Sequence, residues 1–371
     1  MENDDKLKNI KESLLAVMRE PRRWLLLVGT GTSVAMDTEL GMPALKDYLL
    51  MPGTIPEDTD CWIPVAEKLR SGIDLETALT GITLTESLQN EIAKCTAEFV
   101  AKKDAALRDD VLLGKKTWVG ESLLKQLMRG LSPTWPRLPV VTPNYDMLIE
   151  YACSKANIPY ITGYHGGIMR RQNWSNARER LYRLNPVTMG GKRRDTISPI
   201  PCVELMKVHG SINLFRCNSD ETFVENDTWT AGCPADYTPM IAPPGDIKNS
   251  GVLNSHDRLF GEALQTIDKA TAFFVIGYGF RDEHIHQKIL ERVRNHKYPL
   301  IVLTLDPSTE LEQLPGMGKN VWVITGIQNQ ANGKTDRSGT RFANGNKELS
   351  GDFDGPTLWQ SNMFTEQILG G

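Results

Sequence analysis

Two side chains in this sequence are suited to placing a water molecule and taking its proton. Asn144 stands at the end of the apolar run in PVVTPNYD (Pro139–Asp146), and His209 follows another in ELMKVHGSINLF (Glu204–Phe215). An amide donates through nitrogen and accepts through oxygen, so one Asn can hold a substrate oxygen and a water at once. His209 has a reference pKa near neutrality, the property a general base requires. Each also has a plain structural use: an Asn at a strand end caps turns and helices, and a histidine there can be a hydrogen-bonded core residue.

What must position them is a set of strands that end together. In Trp24–Ser33, WLLLVGTGTS, a run of large apolar residues empties into Gly29-Thr30-Gly31-Thr32-Ser33. This is the pattern of a buried parallel strand entering a phosphate-cradling turn at a helix N-terminus, with Gly29 and Gly31 letting a diphosphate approach the backbone. FFVIGYGF (Phe273–Phe280) has the same grammar. Several such strand ends at one crevice make a nucleotide site in an open α/β sheet. Strands alternate with helices along much of the remaining chain, which implies a doubly wound, mainly parallel, Rossmann-like sheet.

Around that sheet the chain divides into an N-terminal helix (1–23), the α/β domain (24–46 and 136–330), an inserted helical module (47–135) and a tail or docking arm (331–371). Leu7, Ile10, Leu14 and Met18 put one apolar face on the first helix, for the sheet or for a neighbouring subunit. From Asp74 to about Leu113, Leu84, Leu88, Ile92, Cys95 and Phe99 keep helical spacing, and Glu121–Arg129 repeats it before Gly130. His165–Asp195 is irregular and basic. Its Arg170, Arg171, Arg178, Arg180, Arg183, Lys192, Arg193 and Arg194 face only Glu179 and Asp195, as in a solvated loop or a partner surface.

At 371 residues and a net charge of −4, the chain has ample core-forming material and no overall basic character, which argues against wholesale nucleic-acid binding and leaves only a local basic patch. The charged start and the lack of a long apolar run point to a cytoplasmic protein without a membrane span. Six cysteines are scattered without CxxC or CxxH spacing, so they signal neither a disulfide framework nor zinc. His284 and His286 sit i,i+2 on a helix and face different ways, so no metal site is expected.

In chain order, Gly29-Thr30-Gly31-Thr32-Ser33, Gly41-Met42-Pro43, Thr142-Pro143-Asn144-Tyr145-Asp146, His209-Gly210-Ser211 and Gly277-Tyr278-Gly279-Phe280 resemble the NAD-binding motifs of the Sir2 (sirtuin) family, over about Trp24–Gly326. The resemblance implies NAD+ as substrate, bound by Gly29, Thr30, Gly31, Ser33, Pro43, Asp146, Gly277, Tyr278, Gly279 and Thr304. It gives Asn144 and His209 the catalytic roles and places Asp146 on the nicotinamide carboxamide. The departures are Pro143 for the family's Gln, Tyr145 for its Ile, Ala44-Leu45-Lys46 for Asp-Phe-Arg, and Gly279 for a Ser. The four-cysteine zinc ribbon that supports the acyl-peptide cleft of sirtuin deacylases has no counterpart. In these respects the chain is similar to bacterial Sir2-like proteins of anti-phage defence, which hydrolyse NAD and often act with a second protein.

Nicotinamide in NAD+ is already a pyridinium leaving group, so cleavage needs an oriented ribose, a stabilised oxocarbenium-like centre and a placed nucleophile. The expected function is therefore an NAD+ glycohydrolase. The alternatives are a silent NAD or ADP-ribose sensor, a Rossmann oxidoreductase and an NAD-dependent deacylase. The oxidoreductase fits poorly, because Val34 stands where the dinucleotide fingerprint has its third glycine. An always-active NADase would starve its own cell, so a second chain is expected to gate it. By resemblance that partner is a hexameric DNA-translocating ATPase of the HerA type, acting on a homo-oligomer of this subunit.

Overall fold

Trp24–Val28 forms β1, a central strand buried along its whole length. In this computed structural model, which describes residues 2–56, 61–189, 192–242, 257–280, 283–327, 329–331, 334–336 and 338–370, β1 has a core on each face. Leu26 and Val28 enter one core, Leu25 and Leu27 the other. A strand covered on both sides is apolar without alternation, which is why it stands out as an unbroken run.

Ahead of β1 lies α1 (Glu2–Arg19). After it come α2 (Gly31–Val34), α3 (Met42–Leu49), α4 (Trp62–Arg70), α5 (Leu75–Leu79), α6 (Glu86–Leu112) and α7 (Glu121–Arg129). The helical stretch expected from Asp74 onward is two helices: Asp74 caps α5 by accepting from Thr77 N at 3.0 Å, and Thr85 caps α6 by accepting from Leu88 N at 3.3 Å. The chain continues through β2 (Arg137–Thr142), α8 (Leu148–Lys155), β3 (Tyr160–Ile161), β4 (Tyr164–Gly166), β5 (Arg170–Gln172) and α9 (Trp174–Glu179). Next are β6 (Tyr182–Met189), β7 (Lys192–Pro199), β8 (Cys202–Lys207), β9 (Gly210–Cys217), β10 (Phe223–Glu225) and β11 (Tyr237–Ile241). The alternation resumes with α10 (Asp257–Lys269), β12 (Ala272–Ile276), α11 (Glu283–His296), β13 (Leu300–Thr304), α12 (Thr309–Gln313) and β14 (Val321–Gly326). The chain closes with β15 (Asn329–Ala331), β16 (Lys334–Asp336), β17 (Gly339–Asn344), β18 (Gly351–Asp354) and α13 (Ser361–Phe364).

The large sheet has the order β18-β17-β14-β13-β12-β1-β2-β8-β3. Every pairing from β14 to β3 is parallel, and β17 and β18 add antiparallel to the β14 edge. This is the doubly wound α/β sheet that the strand pattern implies. The chain leaves β1 toward β2 on one side and later fills the other side with β12, so the order reverses between β1 and β12. A crevice opens at such a reversal, beyond the carboxyl ends of the strands. A second, antiparallel sheet runs β11-β9-β10-β5-β4, and His209 stands at the corner where β8 leaves the first sheet for β9 of the second. The helical insertion shares the common core, with α6 packed along α8 and against β9 and β11.

Two expectations change here, and a third is narrowed. The region after residue 330 is not simply a docking arm: β17 and β18 extend the sheet, and Phe342, Phe353 and Phe364 are buried. Phe364 reaches Phe274 of β12, ring centroids 5.5 Å apart. The face of α1 is covered within the chain, since Ile10 and Leu14 are buried and α1 packs on the π-helical turn Thr365–Leu369. The described residues of the basic stretch 165–195 form β4, β5, α9 and the paired strands β6 and β7, and two of its arginines find acids remote in sequence. Arg170 pairs with Glu225 at 2.7 Å, and Arg178 with Glu204 at 3.0 Å and Glu262 at 3.1 Å. The side chains of Lys192, Arg193 and Arg194 lie outside the described residues.

Ile368 tests the built-in terminus. It is buried in the same core as β1, so Ile368→Val should cost about 0.5–1.5 kcal/mol in urea unfolding. A free tail would give no change.

Candidate active site

The glycines at the strand reversal are packed against protein. A Cβ on Gly29 would stand 2.4 Å from Gly277 O, and one on Gly31 2.8 Å from the same oxygen. Gly277 has φ +58° and its own Cβ would meet Thr32 N at 2.7 Å. The β1 and β12 turns therefore interlock, and only glycine permits it. The backbone amides are committed as well: Gly29 N donates to Ile276 O, Gly31 N to Gly277 O, Thr32 N to Gly29 O and Ser33 N to Thr30 O. These four amides are thus not the diphosphate cradle expected from the sequence, and α2 is a single turn. Gly279 differs, because a Cβ there would enter open space.

Side chains converge just beyond this lock. Asn144 is buried, with Nδ2 donating to Gly29 O at 3.1 Å and to Ser33 Oγ at 3.0 Å. Ser33 Oγ in turn donates to Asp146 Oδ2 at 2.6 Å. A carbonyl and a hydroxyl already donating elsewhere can only accept, so the amide orientation is determined by the network. Thr30 Oγ1 approaches Asn144 Oδ1 at 3.5 Å. Both amide hydrogens are used within the protein, so the expected donation from Asn144 to a ribose oxygen is replaced by a structural one. Its oxygen is the end left for a ligand.

The loop that carries Asn144 is held from two sides. From β8, Lys207 Nζ donates to Glu150 Oε1 at 2.9 Å, Ser211 Oγ at 2.7 Å and Asp146 O at 2.5 Å. From α6, Asp104 accepts from Met147 N at 2.8 Å and from the Tyr151 hydroxyl at 2.5 Å. Burial pushes the Asp104 carboxyl up to about 7, against the opposing effect of the Tyr151 and Met147 donors. A folded-state value above the unfolded one near 3.9 means that this group's protonation stabilises the fold fully below about pH 4. That contribution is lost as pH rises through about 7. Asp104→Asn should flatten the fall in stability over this interval, as followed by urea unfolding at several pH values; an unchanged slope would contradict the assignment.

Asp104 and Lys207 lie outside the recognised motifs, yet both carry a signal. Asp104 sits in register with the buried positions Val100, Leu107 and Val111 of α6, and Lys207 ends a strand that is buried throughout. A charged residue in an apolar stripe requires partners.

The other expected residues sit on separate elements. Tyr278 is buried and packs on Phe280 with ring centroids 5.3 Å apart. Pro43 is exposed at the start of α3, and Thr304 is half-buried at the end of β13 opposite Thr325. His209 is half-buried, and its carbonyl accepts from Ala242 N at 2.9 Å. Because Thr142 pairs with Lys207, Asn144 and His209 stand two residues beyond matched positions on adjacent strands. A cleft beside Asn144 is lined by Thr30, Gly41, Met42, Leu45, Pro143 and Asp146, with Phe99 and Val100 of the helical insertion as a further wall.

Residues 139–321 match the protein-family profile described as the SIR2-like domain. No curated protein sequence matches the chain. Among solved structures, it is similar to a Sir2 homologue–NAD complex at 14% identity, covering 81% of this chain and 84% of that one with a TM-score of 0.38. A Sir2 homologue mutant–ADP-ribose complex gives 13% identity, 81% and 87% coverage and a TM-score of 0.40. Sir2Tm bound to a propionylated peptide gives 15%, 80% and 87%, and 0.39.

Proposed function

We propose that this chain hydrolyses NAD+ to nicotinamide and ADP-ribose at the β1/β12 crevice. The observation that carries the proposal is the oriented Asn144 amide, whose hydrogens are held by Gly29 and Ser33 so that Oδ1 is the acceptor a water needs. The SIR2-like domain over residues 139–321 supports NAD+ as the substrate. In the step, the bond from ribose C1′ to the pyridinium nitrogen breaks with its electron pair going to nicotinamide. The water oxygen bonds to C1′, and its proton passes to His209. Because the leaving group is already cationic, the step draws on no metal. Asn144 places the water, Asp146 receives the nicotinamide carboxamide, and the open face at Gly279 together with Thr304 takes the ribose side.

Uncontrolled NAD+ loss is lethal to a cell, so the activity is gated by a second chain in anti-phage defence. The partner is a HerA-type ATPase, and the subunit itself is a homo-oligomer. With α1 and the C-terminus packed into the fold, the docking surface is the β6–β7 hairpin, where Leu184 is 67% and Ile197 68% exposed. Among the described residues no helix is long and apolar enough to cross a membrane.

The test is to incubate the purified full chain with NAD+, alone and with the product of the neighbouring gene, and to separate the products chromatographically. Equal release of nicotinamide and ADP-ribose without an acyl peptide is the expected result. Release only with an acyl peptide would make the chain a deacylase. Bound but intact NAD+ in both incubations would make it a sensor.

A further inference from the structure

A second cavity, about 370 Å³ in volume, opens at the opposite end of the large sheet from the cleft at Asn144. Arg137 begins β2 and Asn144 lies past its far end, so about 16 Å of strand separates the two, and they share no lining residue. The volume falls within the roughly 300–1,000 Å³ that small-molecule sites occupy. Its walls come from Pro133–Arg137, Arg178 of α9, Tyr182 of β6, Pro199 of β7, Glu204 of β8 and the last turns of α10.

Among the lining residues three cations, Arg137, Arg178 and Lys269, stand against one carboxylate, Glu204. Glu204 is buried and accepts from both guanidinium groups through the same oxygen, Oε1, with Arg137 Nη1 at 3.1 Å and Arg178 Nε at 3.0 Å. Arg178 Nη2 donates to Glu262 at 3.1 Å and Arg137 Nη2 to the Tyr182 hydroxyl at 3.4 Å. Arg137 Nε and Arg178 Nη1 are left without a partner among the described residues, and the two side chains are 24% and 25% exposed. Lys269, in the last turn of α10, is exposed and makes no ion pair among the described residues. The donors in excess belong to cations, which selects an anion, and a guanidinium fork matches carboxylate and phosphate oxygens. The carbon part of the wall is made of rings: Trp135, Tyr182 and the three prolines 133, 136 and 199. Tyr182 is 47% exposed, and Trp135 already holds a flat group, the Arg23 guanidinium at 5.3 Å. An aromatic side chain with open area takes a further ring by offset or edge contact.

We propose that this cavity binds an organic anion built on a flat ring, its phosphate or carboxylate held by Arg137, Arg178 and Lys269 and its ring packed on Tyr182 and Trp135. Tyr182 and Pro199 are paired across β6 and β7, so the occupant also rests against the base of those strands. Binding does not depend on NAD+ cleavage and is measured without turnover.

The test is calorimetric titration of the full chain with 1-naphthyl phosphate, with 1-naphthol as the ring without the anion and inorganic phosphate as the anion without the ring. One aryl phosphate per chain should bind, and each control should bind at least about tenfold more weakly. Lys269→Ala and Tyr182→Ala both change exposed side chains and keep the fold. Each should weaken binding at least about threefold, and the double variant about tenfold or more, which locates the binding in this cavity. Uridine monophosphate and 1-naphthoate in parallel titrations distinguish a nucleotide from an aromatic carboxylate as the source, by which of the two binds more tightly. Absence of heat with 1-naphthyl phosphate, equal binding of either control, or undiminished affinity in the double variant would overturn the proposal. So would a crystal soaked in 1-naphthyl phosphate that shows the ligand only outside the cavity.

Discussion

Asn144→Ala should lower NAD+ cleavage by at least about 10²-fold, the usual scale for losing a group that acts at the reacting centre. The variant also leaves the Ser33 hydroxyl without its donor, while the Gly29 carbonyl keeps Thr32 N and Thr32 Oγ1, so about 1–3 kcal/mol of stability is expected to go with it. Ser33→Ala separates the two effects. It breaks the relay from Asn144 to Asp146 but keeps Oδ1, and should cost activity less than Asn144→Ala while affecting the fold to a similar degree. His209→Ala should match Asn144→Ala in activity if the proton goes where we place it. Near-normal turnover by a folded Asn144→Ala protein would move the chemistry elsewhere.

The largest effect on stability is expected at Lys207. Its ion pair with Glu150 is almost wholly buried, so Lys207→Met leaves a carboxyl without its cation and the Asp146 carbonyl without its donor. Breaking a buried pair from one side typically costs about 3–5 kcal/mol, whereas replacing both partners with apolar groups is much less damaging. Urea unfolding of Lys207→Met, Glu150→Leu and the double variant should therefore show a double variant far more stable than the sum of the single losses predicts. Additive losses, or a single loss below about 1 kcal/mol, would mean that the pair does not brace the loop.

The strands that carry the site were legible because each is a continuous apolar run ending in glycine or a small polar group, a pattern that burial on both faces produces. The long helix α6 was legible from spacing, and Thr85 marks its start. The C-terminal strands were not. Each is anchored by one large apolar residue, Phe342 in β17 and Phe353 in β18, too few to set a period, and they lie antiparallel at a sheet edge. The basic stretch misled for another reason: Glu204, Glu225 and Glu262 come from distant parts of the chain, and local charge counting cannot find them. At the site, the sequence marks Gly29, Gly31 and Gly277 as glycines. It does not say whether the missing Cβ admits a ligand or another loop, and here it admits another loop. The residue types at Asn144 and Asp146 were visible; the Ser33 hydroxyl that joins them was visible only as part of a motif.

The place of β1 in the sheet also has a consequence for synthesis. Its partner on one side, β12, begins 248 residues after it, at Ala272 against Trp24. At roughly 5–20 residues per second, a ribosome needs about 12–50 s to deliver that second neighbour. Through this interval Trp24–Val28 presents an apolar strand with an unpaired edge, a template for association with other nascent chains.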